Sequence, residues 1–398
     1  MPEAAEEHSM PETKKKRRTD RMIYRDFQGM KLSGLGFGAM RLPVIGGDDR
    51  TIDEEAALAM VDQAMANGIN YYDTAWGYHG GNSETVLGKA LARYPRDSYY
   101  LATKFPGYDS SNWGKVEEIF EAQLEKLGVD HFDFYLFHNV CEMNIDAYLD
   151  DEKYGIFSYL KKQKENGRIR HLGFSCHGAM PVLKRFLDAY GKDMEFCQLQ
   201  LNWLDWTFQN AKGKVELLDE WNIPVWVMEP LRGGKLASLR PEYEAELKAL
   251  RPDEDIAAWA FRFLQSIPSI TMILSGMSNA EQLEKNLATF ADEKKLTETE
   301  MNTLLSIADR MLSVGTVPCT ACHYCVTHCP MGLDIPSLIN LYNEHAYTGG
   351  GFIAPMALSA LDEDKRPEAC LHCRSCEQVC PQQIKISEVM GDFAAKLG

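Results

Sequence analysis

INYYDTA (residues 69–75), YYLATKF (99–105) and FDFYLFH (132–138) are short runs that stay apolar almost throughout. Runs of this kind mark strands buried on both faces, as in parallel sheets. Five more flank them: LGFGAM at 35–40, IRHLGFS at 169–175, FCQLQLNW at 196–203, PVWVMEP at 224–230 and SITMILSG at 269–276. Between them the hydrophobic pattern turns helical. Helices are predicted over Asp53–Asn67, Ser83–Ala92 and near 114–126, 146–165, 179–189, 211–221, 254–265 and 279–290. The first has acidic residues in its opening turn and ends at Asn67-Gly68, and Ser83 is the expected N-cap of the second. Strict alternation of eight strands with eight helices predicts an α/β fold, a TIM (β/α)8 barrel. The competing architecture is an open doubly wound sheet. Its usual dinucleotide signal, G-x-G-x-x-G after the first strand, is absent.

Outward from this core, MIYRDFQGMKL at 22–32 reads as a hairpin turning at Gln28-Gly29. Residues 1–21 form a Glu- and Pro-rich leader with one basic run, Lys14 to Arg18. A solvated, disordered tail is expected there, in preference to a nuclear signal or an anion contact. A ninth helix over 297–312 closes the barrel region, taken as 22–312, and residues 313–398 form a separate unit.

The chain has 398 residues, of which 45% are hydrophobic, and a net charge of −16. Single cores seldom grow past about 250–300 residues, so a second unit is expected. The negative charge argues against nucleic acid and anionic membranes as partners. No run of 18 apolar residues predicts a membrane span. The leader lacks an apolar stretch with a small-residue cleavage site, so a cytoplasmic location is expected. In that reducing compartment eleven cysteines argue for metal rather than disulfides. Cys141, Cys176 and Cys197 are scattered, and the other eight all follow residue 318.

Those eight form two runs of one spacing, Cys-x-x-Cys-x-x-Cys-x-x-x-Cys-Pro. The first is Cys319, Cys322, Cys325 and Cys329 with Pro330; the second is Cys370, Cys373, Cys376 and Cys380 with Pro381. In bacterial-type ferredoxins three cysteines of such a run grip one 4Fe–4S cubane and the fourth ligates the other. Two 4Fe–4S clusters are therefore predicted. One takes Cys319, Cys322, Cys325 and Cys380; the other takes Cys370, Cys373, Cys376 and Cys329. Structural zinc usually takes two well-separated cysteine pairs instead. Between the runs IPSLINLYNEHAY reads as a helix stopped by TGGG, and IKISEVMGDFAAKL reads as another after them. The forty-residue connector resembles the α-helical ferredoxin units of larger redox enzymes, which implies a small, mainly helical, ferredoxin-like domain.

In the barrel region Asp73 and Tyr78 lie at or just past the end of the second strand, Lys104 ends the third, and His138 ends the fourth. Successive strand ends converge where barrel enzymes work. A tyrosine is a poor acid at neutral pH, and a nearby ammonium is expected to lower its pKa. A carboxylate would fix that lysine, and a histidine would orient a carbonyl while Tyr78 protonates its oxygen.

YYDTAWGY, NSETVLGKAL, LATK, YLFH, GFS, the Gln198-x-x-x-Asn202 strand and GMSNAEQLEKN together resemble the aldo-keto reductase family over about residues 30–310. The resemblance implies that Asp73, Tyr78, Lys104 and His138 are a catalytic tetrad. It further implies that NADPH lies extended across the barrel mouth, without a Rossmann motif. Ser175 and Gln198 would hold the nicotinamide carboxamide. Gly276, Ser278, Gln282 and Asn286 would meet the phosphates and adenosine, in part through N–H groups at a helix start. Met40 and Arg41 would approach the ribose and nicotinamide. The chain departs from the family pattern at Met228-Glu229-Pro230-Leu231-Arg232, where a stacking aromatic is usual, and at Cys176, where many members have Asn. The usual basic residues for a 2′-phosphate are absent around Gly276 and Gln282, so NADP(H) and NAD(H) both stand, with Arg232 as another source of charge. Trp76, Trp203 and Trp206 are candidate aromatics at the mouth, with core packing the equal alternative for each.

The expected activity is hydride transfer between NADP(H) or NAD(H) and a small-molecule carbonyl or alcohol, with a redox partner protein as a further candidate partner. Hydride carries two electrons and a 4Fe–4S cluster normally carries one. An unseen flavin, a partner or substrate radical, or purely structural clusters would each reconcile the two. The rival reading is an electron-transfer module whose barrel binds nucleotide without carbonyl turnover.

Overall fold

The computed structural model describes residues 22–313, 315–319, 323, 325–380 and 382–397. The expected disordered leader lies outside them, as does Cys322. The described residues hold ten strands: β1 (Tyr24–Phe27), β2 (Met30–Ser33), β3 (Leu35–Gly38), β4 (Tyr71–Asp73), β5 (Tyr100–Phe105), β6 (Phe132–Val140), β7 (Ile169–Cys176), β8 (Cys197–Gln200), β9 (Val225–Met228) and β10 (Ile270–Gly276). β1 and β2 form the antiparallel hairpin, and its turn sits at Gln28 and Gly29, both at positive φ. The other eight close into a parallel barrel in the order β10-β3-β4-β5-β6-β7-β8-β9. The doubly wound alternative is excluded.

The barrel helices are α1 (Glu54–Ala66), α2 (Ser83–Leu91), α3 (Val116–Leu127), α4 (Ile145–Leu149), α5 (Asp151–Tyr154), α6 (Ile156–Glu165), α7 (Met180–Tyr190), α8 (Asp205–Phe208), α9 (Ala211–Glu220), α10 (Pro241–Leu250), α11 (Ile256–Gln265), α12 (Ala280–Thr289) and α13 (Glu298–Leu312). α1 starts at Asp53, whose side chain accepts from Ala56 N–H. α13 starts with a full capping box, Thr297 and Glu300. Three expectations need correction. The single helix over 146–165 is three pieces, because Asp150 caps a new start and Gly155, at φ 63°, breaks the chain again. Ser83 is not an N-cap. It is buried, and its hydroxyl bonds Ala39 O and Thr74 Oγ1 instead. α10, with Pro in its first turn, was not foreseen between β9 and α11.

Past the barrel lie α14 (Ile335–Thr348), α15 (Ile353–Ser359) and α16 (Ile386–Leu397). α14 ends at Gly349 in the left-handed region, as TGGG foretold. These helices pack on one another through Leu333, Leu338, Ile339, Leu358, Met390 and Phe393, and the buried Cys325 and Cys376 join that core. No helix among the described residues is long and apolar enough to cross a membrane.

Inside the barrel, Tyr71, Ala102, Phe134, Leu136, Phe196, Trp226, Met272 and Leu274 form one apolar cluster. The hairpin plugs its lower end: the Phe27 ring stands 4.9 Å from Trp226 and 5.8 Å from Phe134. Replacing Phe27 by Ala should open a void in this floor and cost about 3 kcal/mol of stability, read as a lower urea midpoint at unchanged slope.

Candidate functional site

Side chains two apart on a strand share a face. Above the apolar filling, the next inward positions are therefore Asp73 over Tyr71, Lys104 over Ala102, His138 over Leu136, Gln198 over Phe196 and Met228 over Trp226. A cavity of about 790 Å³ opens there, at the C-terminal ends of the strands. It is lined by Asp73, Tyr78, Lys104 and His138, and by Met40, Arg41, Ser175, Gln198, Gly276, Ser278, Gln282 and Asn286. The four tetrad candidates and the eight candidate cofactor residues thus face one space.

Lys104 is 1% exposed. Its Nζ donates to Asp73 Oδ1 at 2.6 Å, to Thr74 O at 2.7 Å and to Tyr78 Oη at 3.4 Å, which uses all three N–H bonds. The loop carrying Tyr78 is pinned by its neighbour. His79, at φ 53°, accepts from Leu42 N–H at Nε2 and lies 2.7 Å from Asp49 O at Nδ1. Behind β5, Gln123 donates to Lys104 O, and Glu84 accepts from both Gln123 and Thr103. The His138 ring stands edge-on to Tyr78 and to Tyr108.

The charges follow from burial. Desolvation lowers Lys104, but Asp73 and Tyr78 outweigh it and hold the ammonium protonated, above its ordinary pKa. Burial also pushes the Tyr78 phenol up, and the Lys104 charge does not overcome it. The net direction is thus opposite to the lowering expected from the lysine alone. Burial, then the Lys104 charge, hold His138 well below its ordinary value, so its ring is neutral. The arrangement can donate a proton from a neutral phenol and a hydrogen bond from a neutral imidazole to one oxygen.

The opposite wall suits a carboxamide. Gln198 Oε1 is buried without a partner, an acceptor left for an amide N–H₂. Ser175 Oγ accepts from Asn139 N–H at 2.7 Å, so it does not cap the following helix and keeps its own proton to donate. A Cβ on Gly276 would stand 3.2 Å from Arg41 Cβ, so the cavity wall is tightly packed at that point. At the start of α12 two N–H groups are already taken. Gln282 accepts from Ser278, and Asn279 accepts from Gln282. Asn286 donates to Ser275 Oγ. Lys285 lies 3.0 Å from Glu281 and 3.8 Å from Asp255.

Other expectations fail at this mouth. Arg232 is not free to meet a phosphate. It is buried, and binds Asp205 through Nε and Glu344 of α14 through Nη2 at 2.6 Å. Phe208 and Tyr347 flank its guanidinium. Trp203 is core, Trp206 packs on Phe263, and Trp76 lies under Lys126. Besides Tyr78 and His138, the cavity's aromatics are instead Tyr108, His177 and Phe352, the last from beyond the barrel. Nothing local in the sequence marks these three. Cys176 is an inert thiol, raised by burial to about 11.

The two cysteine runs repeat each other in backbone as well as spacing. A 3-10 turn joins third to fourth cysteine in both, Val326–His328 and Glu377–Val379. In both, the residue three past the fourth cysteine donates back to it: Gly332 to Cys329 O and Gln383 to Cys380 O, each at 3.0 Å. α14 and α16 then begin at matching places, Ile335 and Ile386. Cys370, Cys373 and Cys376 line one small cavity together with Cys329 from the other run, among Met331, Leu333, Ile335 and Met390. This is the crossed set expected for one cubane. Cys319, Cys325 and Cys380 belong to the same apolar core, and Cys322 lies outside the described residues. Among the described residues no three His, Cys, Asp or Glu side chains converge on a single-ion site.

The aldo/keto reductase family profile matches residues 34–309, and the 4Fe-4S dicluster domain profile matches 318–384. L-galactose dehydrogenase of Arabidopsis thaliana is 27% identical over 292 residues, covering 67% of this chain and 87% of that protein. The NADH-specific methylglyoxal reductase of Escherichia coli is 25% identical over 303 residues, covering 65% and 89%. Two solved structures share the fold at a TM-score of 0.57. One is a thermostable aldo-keto reductase with the inhibitor epalrestat, 22% identical, covering 72% of this chain and 100% of its own. The other is an aldo-keto reductase from Bacillus halodurans in its holo form, 24% identical, covering 72% and 96%.

Glu344→Gln should leave Arg232 with one anion instead of two in a buried setting. The expected cost is about 2 kcal/mol, visible as an earlier urea transition, while a substitution at the exposed Glu363 should be silent.

Proposed function

This chain belongs to the aldo/keto reductase family and carries an iron–sulfur domain, and from that premise we propose that it transfers hydride between a nicotinamide dinucleotide and a carbonyl or alcohol. The observation that carries the reading is the Lys104 ammonium, buried and shared between Asp73 and Tyr78 on the wall of the cavity. Tyr78 is the acid and base. In reduction its phenol gives a proton to the substrate oxygen. Lys104 balances the charge that develops on the phenolate, and Asp73 keeps Lys104 in place. His138, neutral, holds the substrate oxygen beside Tyr78. Gln198 and Ser175 take the carboxamide, and Met228 offers an apolar surface where the family has an aromatic. The nicotinamide, when bound, supplies or accepts the hydride.

We assign the adenosine end to the start of α12. Two carboxylates, Glu281 and Asp255, surround the single ammonium of Lys285 there, which opposes a 2′-phosphate and favours NAD(H). A relative described as NADH-specific fits that preference. The crossed cysteine set around one cavity supports two 4Fe–4S clusters, which supply one-electron transfer when bound.

Tyr78→Phe should abolish carbonyl reduction while leaving iron content unchanged. With the phenol held above its ordinary value of 10.0, reduction should stay level across neutral pH and decline only in strong alkali. Alcohol oxidation needs the phenolate and should rise over that same alkaline range. Anaerobic titration with NADH and then NADPH, followed at the cluster absorbance, tests cofactor choice and coupling together. Cluster bleaching without any carbonyl turnover would replace this reading by the electron-transfer module.

A further inference from the structure

We infer that the substrate pocket is a composite site. The iron–sulfur domain supplies Phe352 as its outer wall, and His177 and Asn139 beneath it take hydroxyl groups of a sugar-class substrate. The inference rests on the hydride-transfer reading above and names its substrate class.

Phe352 is the N-cap of α15 and is 58% exposed, yet it lines the same cavity as the tetrad. Its ring meets His177 edge to face at 5.4 Å. A molecule bound in this cavity would meet that ring at the rim. The loop that carries it is fixed to the barrel. Lys235 donates to Thr348 O, Asn139 Nδ2 lies 3.6 Å from Met356 Sδ, and the buried Arg232–Glu344 pair anchors α14. Gly349 and Gly350, both at positive φ, let the chain double back from α14 toward the mouth.

The polarity of His177 is set by a chain of hydrogen bonds. Asp205 is paired with Arg232 and accepts from Gln200 Nε2 at 3.0 Å. That turns Gln200 Oε1 toward His177 Nδ1, 3.0 Å away. An oxygen there requires the proton on Nδ1. Burial holds the ring neutral, with a pKa of about 4, so Nε2 carries no proton and can only accept. Asn139 Oδ1 is a buried acceptor without a partner, and Asn139 lines the cavity too. Two acceptors beside an aromatic face call for a ligand with hydroxyl donors and a flat C–H face. A carbonyl compound of the sugar class has both. A simple aromatic aldehyde has only the face.

The test compares kcat/KM of the iron-replete protein with NADH, NADPH or their oxidised forms. The probes are D- and L-hexoses, matching deoxyhexoses, benzaldehyde and 4-hydroxybenzaldehyde. A hexose should be preferred over its deoxy analogue by about tenfold, the worth of one hydrogen bond. His177→Phe should erase that preference. Phe352→Ala should raise KM about tenfold with kcat little changed, and Phe352→Leu should restore only part of it. Iron content and cluster absorbance should be unchanged in all three. Equal turnover of benzaldehyde and hexoses, or a preference that survives both His177→Phe and Phe352→Ala, overturns the inference. So does a preference for 4-hydroxybenzaldehyde over every hexose. Loss of all turnover in the wild type would instead defeat the hydride-transfer reading, and calorimetric hexose binding to wild type and Phe352→Ala would then decide the pocket separately.

Discussion

A protonated amine sits in the upper part of a barrel otherwise filled with hydrocarbon, and much of the structure answers to it. Lys104 is almost fully buried, and an isolated charge in such a place would be prohibitive. Three acceptors meet its three N–H bonds: the Asp73 carboxylate, the Thr74 carbonyl and the Tyr78 hydroxyl. Two of these come from β4 and its end, the third from the loop beyond it. Satisfying the charge therefore fixes the position of that loop relative to β5. Glu84, Gln123 and Thr103 repeat the logic on the outer side, tying α2 and α3 to the same strand. The site has few ways to loosen without leaving the ammonium unpaired.

The fold was legible because parallel strands buried on both faces leave a plain signature, and the site was legible because of the two-residue period. Tyr71 and Asp73, or Ala102 and Lys104, differ in chemistry but share a face, so the apolar filling and the reactive layer above it are read from one register. What stayed hidden depends on contacts across long stretches of chain. Ser83 looks like a cap, yet its hydroxyl is claimed by Ala39, 44 residues away. Arg232 looks free for a phosphate, yet it pairs with Glu344 across 112 residues. The Tyr78 shift runs against the sequence expectation because the sequence shows the neighbouring cation and does not show the depth of burial. The tryptophans near the mouth are open between pocket and core in the sequence, and none of them lines the cavity. Large aromatics fill cores as readily as they line pockets.

The C-terminal unit shows a different economy. Its two halves repeat turn, backbone hydrogen bond and helix start around the fourth cysteine of each run. Cys329 of the first run lies beside Cys370, Cys373 and Cys376 of the second, so this cavity needs both halves. The apolar core built from α14 and α16 then holds both together. A chain this short in core can be organised by its ligand geometry as much as by hydrocarbon burial.

The two units meet at one guanidinium, Arg232, which binds Asp205 of the barrel and Glu344 of α14. Asp205 accepts from Arg232, which anchors α14, and from Gln200, which orients His177 in the cavity. A shift of α14 would alter the pull of Glu344 on Arg232 and, through Asp205 and Gln200, the proton position on a residue that lines the substrate space. The seat of the iron–sulfur unit and the polarity of the pocket are thus one hydrogen-bonded system. Phe352 closes the loop from the other side, since the ring that leans on His177 is carried by the segment directly after α14. On the hydride-transfer reading proposed above, such a joint would make the geometry of the cavity answer to the seat of the iron–sulfur unit.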